Sequence, residues 1–375
     1  MPENFHIDMP EAVRNIIHTI EEHGFKAYAV GGCIRDSILG RNPDDWDITT
    51  SAVPSQIKTF FKRTVDTGIA HGTVTIMIDK TGYEVTTYRI DGEYEDGRHP
   101  KSVEFSDRLV DDLCRRDFTI NAMAYNDTDG FVDEFKGLDD LDTKIIRCVG
   151  EPELRFTEDA LRMMRAIRFS AQLGFTIDEA TWNAIKKLSP SISKISMERV
   201  HVELGKTLMS AHPDDVAQYS EAGLFAPILP VIDNALKSRY KRKILATLQH
   251  TPDNIYLRYA ALFITSTPDE AAKTLRALKL DNKTVNTVSK LVELSKMDIE
   301  ETEPAVRTAL NKYGRDFLPL WHELMMAVIQ ASEDITGISN PAKVKHLLTL
   351  KRLGTDILAR GDCFTIKDLD ISGND

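Results

Sequence analysis

The hydropathy pattern changes its period near Gly150, and this change limits the fold more than any other feature of the 375-residue chain. Before Gly150, short β-prone segments (25–30 and 45–50) alternate with helical stretches, and residues 73–78 and 83–90 predict a β-hairpin with a four-residue loop. After Gly150, helical segments follow one another, separated by breaks such as Ser189-Pro190 and Thr251-Pro252. The sequence therefore predicts an α+β chain, with a mixed sheet and helices first and an all-α remainder.

Composition narrows the class of protein. Apolar residues make up 42% of the chain and charged residues 28%, which is typical of a globular protein. No apolar run approaches the ~20 residues of a membrane-spanning helix, and the acidic N-terminus does not resemble a secretory signal. The four cysteines include no CxxC pair, which argues against a zinc ribbon or disulfide framework and favours a reducing cytoplasm.

The charge is distributed unevenly along the chain. Residues 1–150 contain 28 acidic and 17 basic side chains, whereas the remainder contains 30 of each. An acidic chain is an unusual partner for nucleic acid, but its neutral part can still present local basic faces. One such cluster is Lys237, Arg239, Lys241, Arg242 and Lys243. Its pattern fits either a solvated helix face or a phosphate contact.

Two aspartates on a predicted strand are the first candidates for chemistry. Asp45 and Asp47 are two residues apart, so their side chains are expected on one face of the strand at 45–50. Close carboxylates repel unless a cation neutralises them, and Mg²⁺ prefers such oxygen ligands. Glu84, on the predicted hairpin, is a possible third carboxylate. The alternatives are exposed loop aspartates and a solvated strand glutamate.

A double-glycine turn precedes these aspartates. Gly31-Gly32 joins a short strand to a helix start, a place where the backbone can approach a phosphate closely. Arg35, one turn into that helix, could reach the same anion. The simpler interpretation is a tight turn beside a surface arginine.

A charged stripe is predicted after Gly150. Asp159, Arg162, Arg165 and Arg168 recur every three residues on a predicted helix, beside an apolar stripe of Leu161, Met164 and Ile167. Without further context, such a stripe is typical of an exposed face with salt bridges.

Five ordered motifs connect these features to a known family. They are GGCIRD, DDWDITT, YEVTTYRIDGEYEDGRHPKSVEF, DLCRRDFTINAMAY and RFTEDALRMMRAIRF. In this order they resemble the bacterial class II CCA-adding enzymes, which are tRNA nucleotidyltransferases. The resemblance covers residues 28 to 199, about half of the chain.

The resemblance implies a site and assigns a role to each matching residue. Asp45 and Asp47 would hold two Mg²⁺ ions, with Glu84 as the possible third catalytic carboxylate. Gly32, Arg35 and Arg116 match positions that bind the triphosphate, and Asp117 and Asn121 match positions at the ribose. Asp159 and Arg162 match the positions that read the base, and Arg165 and Arg168 match positions around the base.

The resemblance also implies the reaction: addition of C, C and A to the 3′ end of tRNA from CTP and ATP. Residues 91–100 match a loop needed for the change from C to A, although His99 replaces an arginine common in the family. The implied domains are a nucleotidyltransferase head (1–149), a helical neck (150–205), a helical body (206–320) and a helical tail region (321–375) that is either short or truncated.

Two other functions fit the same residues. A poly(A) polymerase of the same class shares the motifs and differs in its RNA and in product length. A non-catalytic RNA-binding scaffold is the other alternative, disfavoured because Asp45, Asp47, Asp159 and Arg162 are all present. The expected location is the cytoplasm, and the sequence leaves the oligomeric state open.

Overall fold

The computed structural model describes residues 6–92 and 102–361. Contacts divide the chain into two units: the first comprises Met1–Ala166 and Gly174–Lys194, and the second comprises Ile167–Leu173 and Ile195–Asp375. The helix Leu161–Leu173 begins in the first unit and ends in the second. The finer division into head, neck, body and tail stays a prediction.

The first unit contains the strands that the described residues form. In chain order they are β1 (Ala27–Val30), β2 (Ile48–Thr50), β3 (Thr64–Gly68), β4 (Thr73–Ile78), β5 (Thr81–Thr87), β6 (Arg89–Asp91), β7 (Val103–Phe105), β8 (Ala124–Asn126), β9 (Gly130–Val132), β10 (Ile145–Ile146) and β11 (Thr176–Ile177).

Seven of these strands form one mixed sheet, in the order β3-β4-β5-β2-β1-β8-β9. The pair β2–β5 is parallel, with Ile48 opposite Val85, and the other neighbours are antiparallel. β1 is buried along its whole length, as its run Ala-Tyr-Ala-Val predicts for a strand near the middle of a sheet. Two small sheets, β6–β7 and β10–β11, lie outside it.

The helices of the first unit cover and connect this sheet. They are α1 (Glu11–Glu22), α2 (Gly32–Ile38), α3 (Pro54–Phe60), α4 (Leu109–Cys114), α5 (Gly137–Asp142), α6 (Pro152–Glu158), the start of α7 (Leu161–Leu173) and α8 (Glu179–Leu188). The helical spacing in α1 buries Val13, Ile16, Ile17 and Ile20, as the sequence predicts.

Two details of the predicted strands are wrong. The hairpin turn contains two residues instead of four, because β4 and β5 stay paired as far as Ile78 and Thr81. Within this turn, Asp79 adopts the left-handed conformation (φ 54°) that a short polar side chain tolerates. The strand predicted at 45–50 begins at Ile48, so Asp45 and Asp47 lie in the segment just before it.

The second unit is helical throughout its described residues. It holds the end of α7 and α9 (Met197–Leu208), α10 (Ala217–Glu221), α11 (Pro230–Lys237), α12 (Lys241–His250), α13 (Ile255–Leu262), α14 (Pro268–Ala277), α15 (Asn282–Leu294), α16 (Glu303–Tyr313), α17 (Phe317–Thr336) and α18 (Pro341–Ala359). Local sequence starts several of them: Thr267 and Glu270 form a reciprocal capping box on α14, and Asp281 accepts the Thr284 N–H at the start of α15.

A bilayer-spanning helix, which would need a long apolar stretch, does not occur within residues 6–92 and 102–361. Cys33, Cys114 and Cys148 are free thiols, and Cys363 lies outside the described residues.

Candidate active site

The double-glycine turn leads directly from β1 into α2. Gly31 has φ 85° and ψ −129°, a conformation that residues with a Cβ rarely adopt, and its N–H donates to the Met123 carbonyl at 3.1 Å. Gly32 is the first residue of α2, and Arg35 lies one turn further on. The turn predicted from the sequence is therefore confirmed, and its backbone is bonded to Met123, the residue before β8.

Arg35, Asn121, Asp117 and Arg165 form one chain of hydrogen bonds. Arg35 Nη1 donates to Asn121 Oδ1 at 2.6 Å, and Asn121 Nδ2 donates to Asp117 Oδ1 at 3.1 Å. Arg165 donates to the other oxygen of Asp117 through Nε and Nη2, both at 2.6 Å. The structure thus brings together four side chains that the sequence nominated from three separate motifs.

The electrostatics of this chain favour an ionised Asp117. Its side chain is 9% exposed, and burial by itself would raise its pKa. The Arg165 charge and the hydrogen bond from Asn121 outweigh burial and lower the pKa of Asp117 to about 2. The carboxylate is therefore charged at neutral pH and fixes the orientation of Asn121 and Arg165.

Arg116 lies against the glycine turn. A Cβ on Gly31 would come within 2.8 Å of Arg116 Nη1, so a side chain there would displace the guanidinium. Nη2 donates to Asp112 at 3.2 Å, whereas the buried Nε has no hydrogen-bond partner among the described residues. Arg116 therefore keeps unused donor capacity beside the turn.

Asp45 and Asp47 lie in an extended segment joined to the turn by backbone pairing. The Asp47 carbonyl accepts the Val30 N–H at 3.0 Å, immediately before Gly31. The Asp47 side chain is solvent-accessible, yet desolvation by surrounding protein raises its pKa. The nearby Arg116 charge opposes that rise, and Asp45 adds to it. Asp47 thus lies within electrostatic reach of Arg116 and Asp45.

Glu84 is placed beside Asp47 by strand register. Since Ile48 and Val85 are opposite one another and buried, the preceding residues, Asp47 and Glu84, fall on the other face of the parallel pair β2–β5. Within residues 6–92 and 102–361, however, no three His, Cys, Asp or Glu side chains are close enough to form a metal-binding group. Asp45 and Asp47 are the two carboxylates that could hold a cation, since Mg²⁺ commonly takes one or two carboxylates and completes its shell with water and substrate phosphates.

The predicted helical stripe from Asp159 to Arg168 is wrong at its first member. Asp159 has φ −142° and ψ 104°, and it lies in the break between α6 and α7. Its Oδ1 accepts the Leu161 N–H at 3.0 Å, which satisfies a free donor at the start of α7. Short polar side chains compete for backbone donors in this way, and for that reason the three-residue spacing misled the prediction.

Arg162 lies on α7, with its guanidinium held from two sides. Nη1 donates to Glu158 Oε2 at 2.7 Å and to the Arg155 carbonyl at 3.3 Å, and Nη2 donates to the Arg115 carbonyl at 2.9 Å. The Arg162 N–H also bonds to the Asp159 carbonyl at 3.0 Å, so the two proposed base-reading residues are neighbours.

Arg168 belongs to the second unit, unlike the other nominated residues. Its guanidinium is buried, donates to Glu203 of α9 through Nε at 2.5 Å, and lies 3.8 Å from the centre of the Phe169 ring. A nucleotide contact for Arg168 stays a prediction.

Sequence reasoning missed Asp112, Arg115, Thr49 and Glu158. Asp112 is fully buried and accepts hydrogen bonds from Thr49, Arg115 and Arg116. The sequence signal that could have identified Asp112 is its spacing to Arg115 and Arg116, which lie three and four residues later.

The loop predicted at 91–100 falls mostly outside the described residues. The structure describes Asp91 and Gly92 of this loop, and residues 93–101 lie outside the described residues.

Comparisons with known proteins identify the family of the chain. The family described as Poly A polymerase head domain matches residues 27–147, and the family described as Probable RNA and SrmB-binding site of polymerase A matches residues 174–236. A curated CCA-adding enzyme of Limosilactobacillus reuteri is 49% identical over 226 residues, covering 60% of this chain and 56% of that protein. The chain thus spans just over half the length of this curated relative.

Two further relatives match more of the chain. A CCA-adding enzyme of Streptococcus suis is 38% identical over 359 residues, which cover 93% of this chain and 84% of that protein. The crystal structure of the Bacillus stearothermophilus CCA-adding enzyme in complex with CTP superposes with a TM-score of 0.75 and 33% identity, over 97% of this chain and 85% of that one. With this identity sustained along most of both relatives, the chain belongs to the family of CCA-adding enzymes.

Proposed function

We propose that the chain adds C, C and A to the 3′ end of tRNA, taking them from CTP and ATP and releasing pyrophosphate. The observation that carries this proposal is the geometry at the Gly31 turn, where a Cβ on Gly31 would come within 2.8 Å of Arg116 Nη1 and the preceding Val30 N–H bonds to the Asp47 carbonyl at 3.0 Å. A candidate phosphate ligand and a candidate metal ligand are thus attached to the same turn. The relatives named as CCA-adding enzymes, one of them solved with CTP, support the same reaction.

Asp45 and Asp47 would hold Mg²⁺. When bound, the metal would make the ribose 3′-hydroxyl more acidic and would stabilise the charge on the departing pyrophosphate. The protein's own part is to bring the hydroxyl and the α-phosphate together in a fixed orientation. The location of Asp47 next to the β1–α2 turn suits that task, because its main-chain carbonyl accepts the Val30 N–H immediately before the turn.

The triphosphate would lie against Gly32, Arg35 and Arg116. Arg116 contributes a guanidinium whose Nη1 lies against Gly31 and whose buried Nε has no partner among the described residues, and Arg35 is held in place by Asn121 and Asp36. Guanidinium groups bind phosphates through paired hydrogen bonds, which fixes geometry as well as affinity. Asp117 and Asn121, already oriented by Arg165 and Arg35, would contact the ribose.

Asp159 and Arg162 would read the base. A carboxylate accepts hydrogen bonds and a guanidinium donates them. Cytosine and adenine both present an amino donor beside a ring-nitrogen acceptor, which matches the pair. Uracil and guanine present the reverse pattern and would leave buried groups unpaired, at about 1–3 kcal/mol for each group. Glu158 and the Arg115 carbonyl hold Arg162 through Nη1 and Nη2, which preserves its orientation without a nucleic-acid template.

A tRNA transcript ending at the discriminator base tests the proposal. It is incubated with Mg²⁺ and labelled CTP, ATP, GTP or UTP, singly and in mixtures. Two additions from CTP and one further addition from ATP, followed by a halt, are expected. A lengthening ladder with ATP alone would replace this function by poly(A) polymerase, and no incorporation would favour an RNA-binding scaffold.

A further inference from the structure

A buried carboxylate lies beneath the candidate site. Asp112, on α4, has no exposed surface and accepts hydrogen bonds from three sources. Thr49 Oγ1 donates to Oδ2 at 3.1 Å, Arg115 donates to Oδ1 through Nε at 2.9 Å and Nη2 at 2.6 Å, and Arg116 Nη2 donates to Oδ2 at 3.2 Å. Both carboxylate oxygens are therefore occupied.

The ionised state of Asp112 depends on these arginines. Burial by itself would raise its pKa, but the charges of Arg115 and Arg116 reverse this effect and lower the pKa below its ordinary value. A buried ion network contributes little net stability compared with well-packed apolar residues. Its presence is better explained by what it holds in position.

One side of the network holds the catalytic segment. Thr49 lies on β2, two residues after Asp47, and its Oγ1 also donates to the Thr86 carbonyl of β5 at 3.2 Å. Asp112 thereby connects the strand that follows the candidate metal ligands to the arginines at the end of α4.

The other side reaches two different parts of the nucleotide site. Arg116, held through Nη2, lies with Nη1 against Gly31, where the triphosphate is proposed to bind. Arg115, held through two nitrogens, offers its carbonyl to Arg162 Nη2 at 2.9 Å. Hydrogen bonds therefore connect the Asp112 carboxylate directly to Arg116, proposed to bind phosphate, and through Arg115 to Arg162, proposed to read the base.

We infer that Asp112 is a positioning residue that sets the orientation of Arg116 for the triphosphate and, through the Arg115 carbonyl, of Arg162 for the base. The inference rests on the proposed function. According to this inference, Asp112 affects both nucleotide affinity and nucleotide choice, two properties that would otherwise be independent.

The test is a double-mutant cycle with Asp112→Asn and Arg116→Ala. Asp112→Asn keeps the shape of the side chain and removes its charge. The affinity for labelled Mg²⁺–CTP, measured by equilibrium dialysis, is expected to fall about 10- to 100-fold, as for loss of a hydrogen bond to a charged group. In the Arg116→Ala background the same change should add little, because its effect passes through Arg116. Incorporation of UTP relative to CTP should rise about tenfold in Asp112→Asn, since losing one hydrogen bond that selects the base changes the free energy by a similar amount.

A matched control separates positioning from general stability. Asp233 in the second unit is also buried and holds Ser220 and Lys237. Asp233→Asn should lower thermal stability without changing CTP affinity or UTP incorporation. Additive losses in the cycle, or unchanged UTP incorporation, would overturn the inference. If the unaltered protein binds CTP but extends no tRNA, the proposed function fails, while the dialysis cycle still decides the role of Asp112.

Discussion

Buried charges are arranged differently in the two units. In the first unit, buried Arg35, Asn121 and Asp117 form one network with Arg165, and buried Asp112 joins Arg115 and Arg116. In the second unit, buried charged groups form ion pairs, such as Arg168 with Glu203 and Arg258 with Asp253. Connected networks are expensive to bury, so their concentration around one turn supports the proposed ligand site there. Ion pairs that connect two segments of the fold need no ligand to explain them.

The largest effect should come from Asp47, which touches the proposed chemistry without supporting the fold. Asp47→Asn is expected to reduce CTP incorporation at least about a thousandfold, because a metal ligand supplies several kcal/mol of transition-state stabilisation. The side chain is solvent-accessible, so the melting temperature should hardly change. Asp44→Asn, three residues earlier and exposed, is the control that should keep its activity. Appreciable turnover by Asp47→Asn would contradict the metal assignment.

A buried pair in the second unit should give the opposite result. Arg168→Met removes a buried ion-pair partner of Glu203, whose side chain is 5% exposed, and should destabilise the protein by about 3–5 kcal/mol in urea titrations. Restoring packing with Glu203→Leu in the same chain should recover much of that loss. The ratio of CTP to UTP incorporation should stay unchanged in the double variant. A shift in that ratio would instead support the predicted nucleotide contact of Arg168.

The pH dependence of stability should reveal Asp117. Its pKa is about 2 in the folded protein and near the ordinary 3.8 when unfolded. A lowered folded pKa contributes stability that is present above about pH 4 and is lost as pH falls towards 2, by about 2 kcal/mol in total. Urea titrations between pH 5 and pH 2 should therefore show a steeper loss in the unaltered protein than in Asp117→Asn. Equal slopes would show that Asp117 is not held ionised by Arg165 and Asn121.

The smallest effect separates two glycines with similar φ angles. Gly31 and Gly24 have φ 85° and 84°, a region that residues with a Cβ rarely adopt, so alanine at either position should cost at least about 1 kcal/mol of stability. A Cβ at Gly24 meets no atom within 4 Å, whereas at Gly31 it meets Arg116 Nη1 at 2.8 Å. Gly31→Ala alone should weaken CTP binding, as measured by equilibrium dialysis. Equal CTP affinity in the two variants would remove Arg116 from the triphosphate site.

Sequence could predict the parts of this molecule that depend on local pattern. The period of α1 buries its four apolar residues as expected, and the glycine turn lies where the residues require it. Asp159 was misplaced, because a three-residue spacing indicates a helix even where a polar side chain ends one helix and begins the next. Motif order nominated Arg35, Asp117, Asn121 and Arg165 individually. Their hydrogen-bonded order could not be predicted, because it depends on contacts between segments far apart in the chain.

Asp112 shows the same limit more sharply. In the segment Asp111-Asp112-Leu113, nothing in the sequence distinguishes the two aspartates, and both side chains would be expected on the exposed face of a helix. Asp112 is buried because Thr49 of β2 and the side chains of Arg115 and Arg116 close over it. No local period carries that information.

The strand order has a consequence for the synthesis of this protein. Ala29 of β1 pairs with Tyr125 of β8, and the Gly31 N–H bonds to Met123, so the glycine turn is completed by residues made much later. Contacts of such sequence separation form slowly, because a long loop must close before they yield any stabilisation. β1 can pair early with β2, but its other edge and the glycine turn stay unpaired on the ribosome until β8 has been made. We expect the nucleotide site to be among the last parts of the first unit to mature, and nascent chains that end before β8 to bind no CTP.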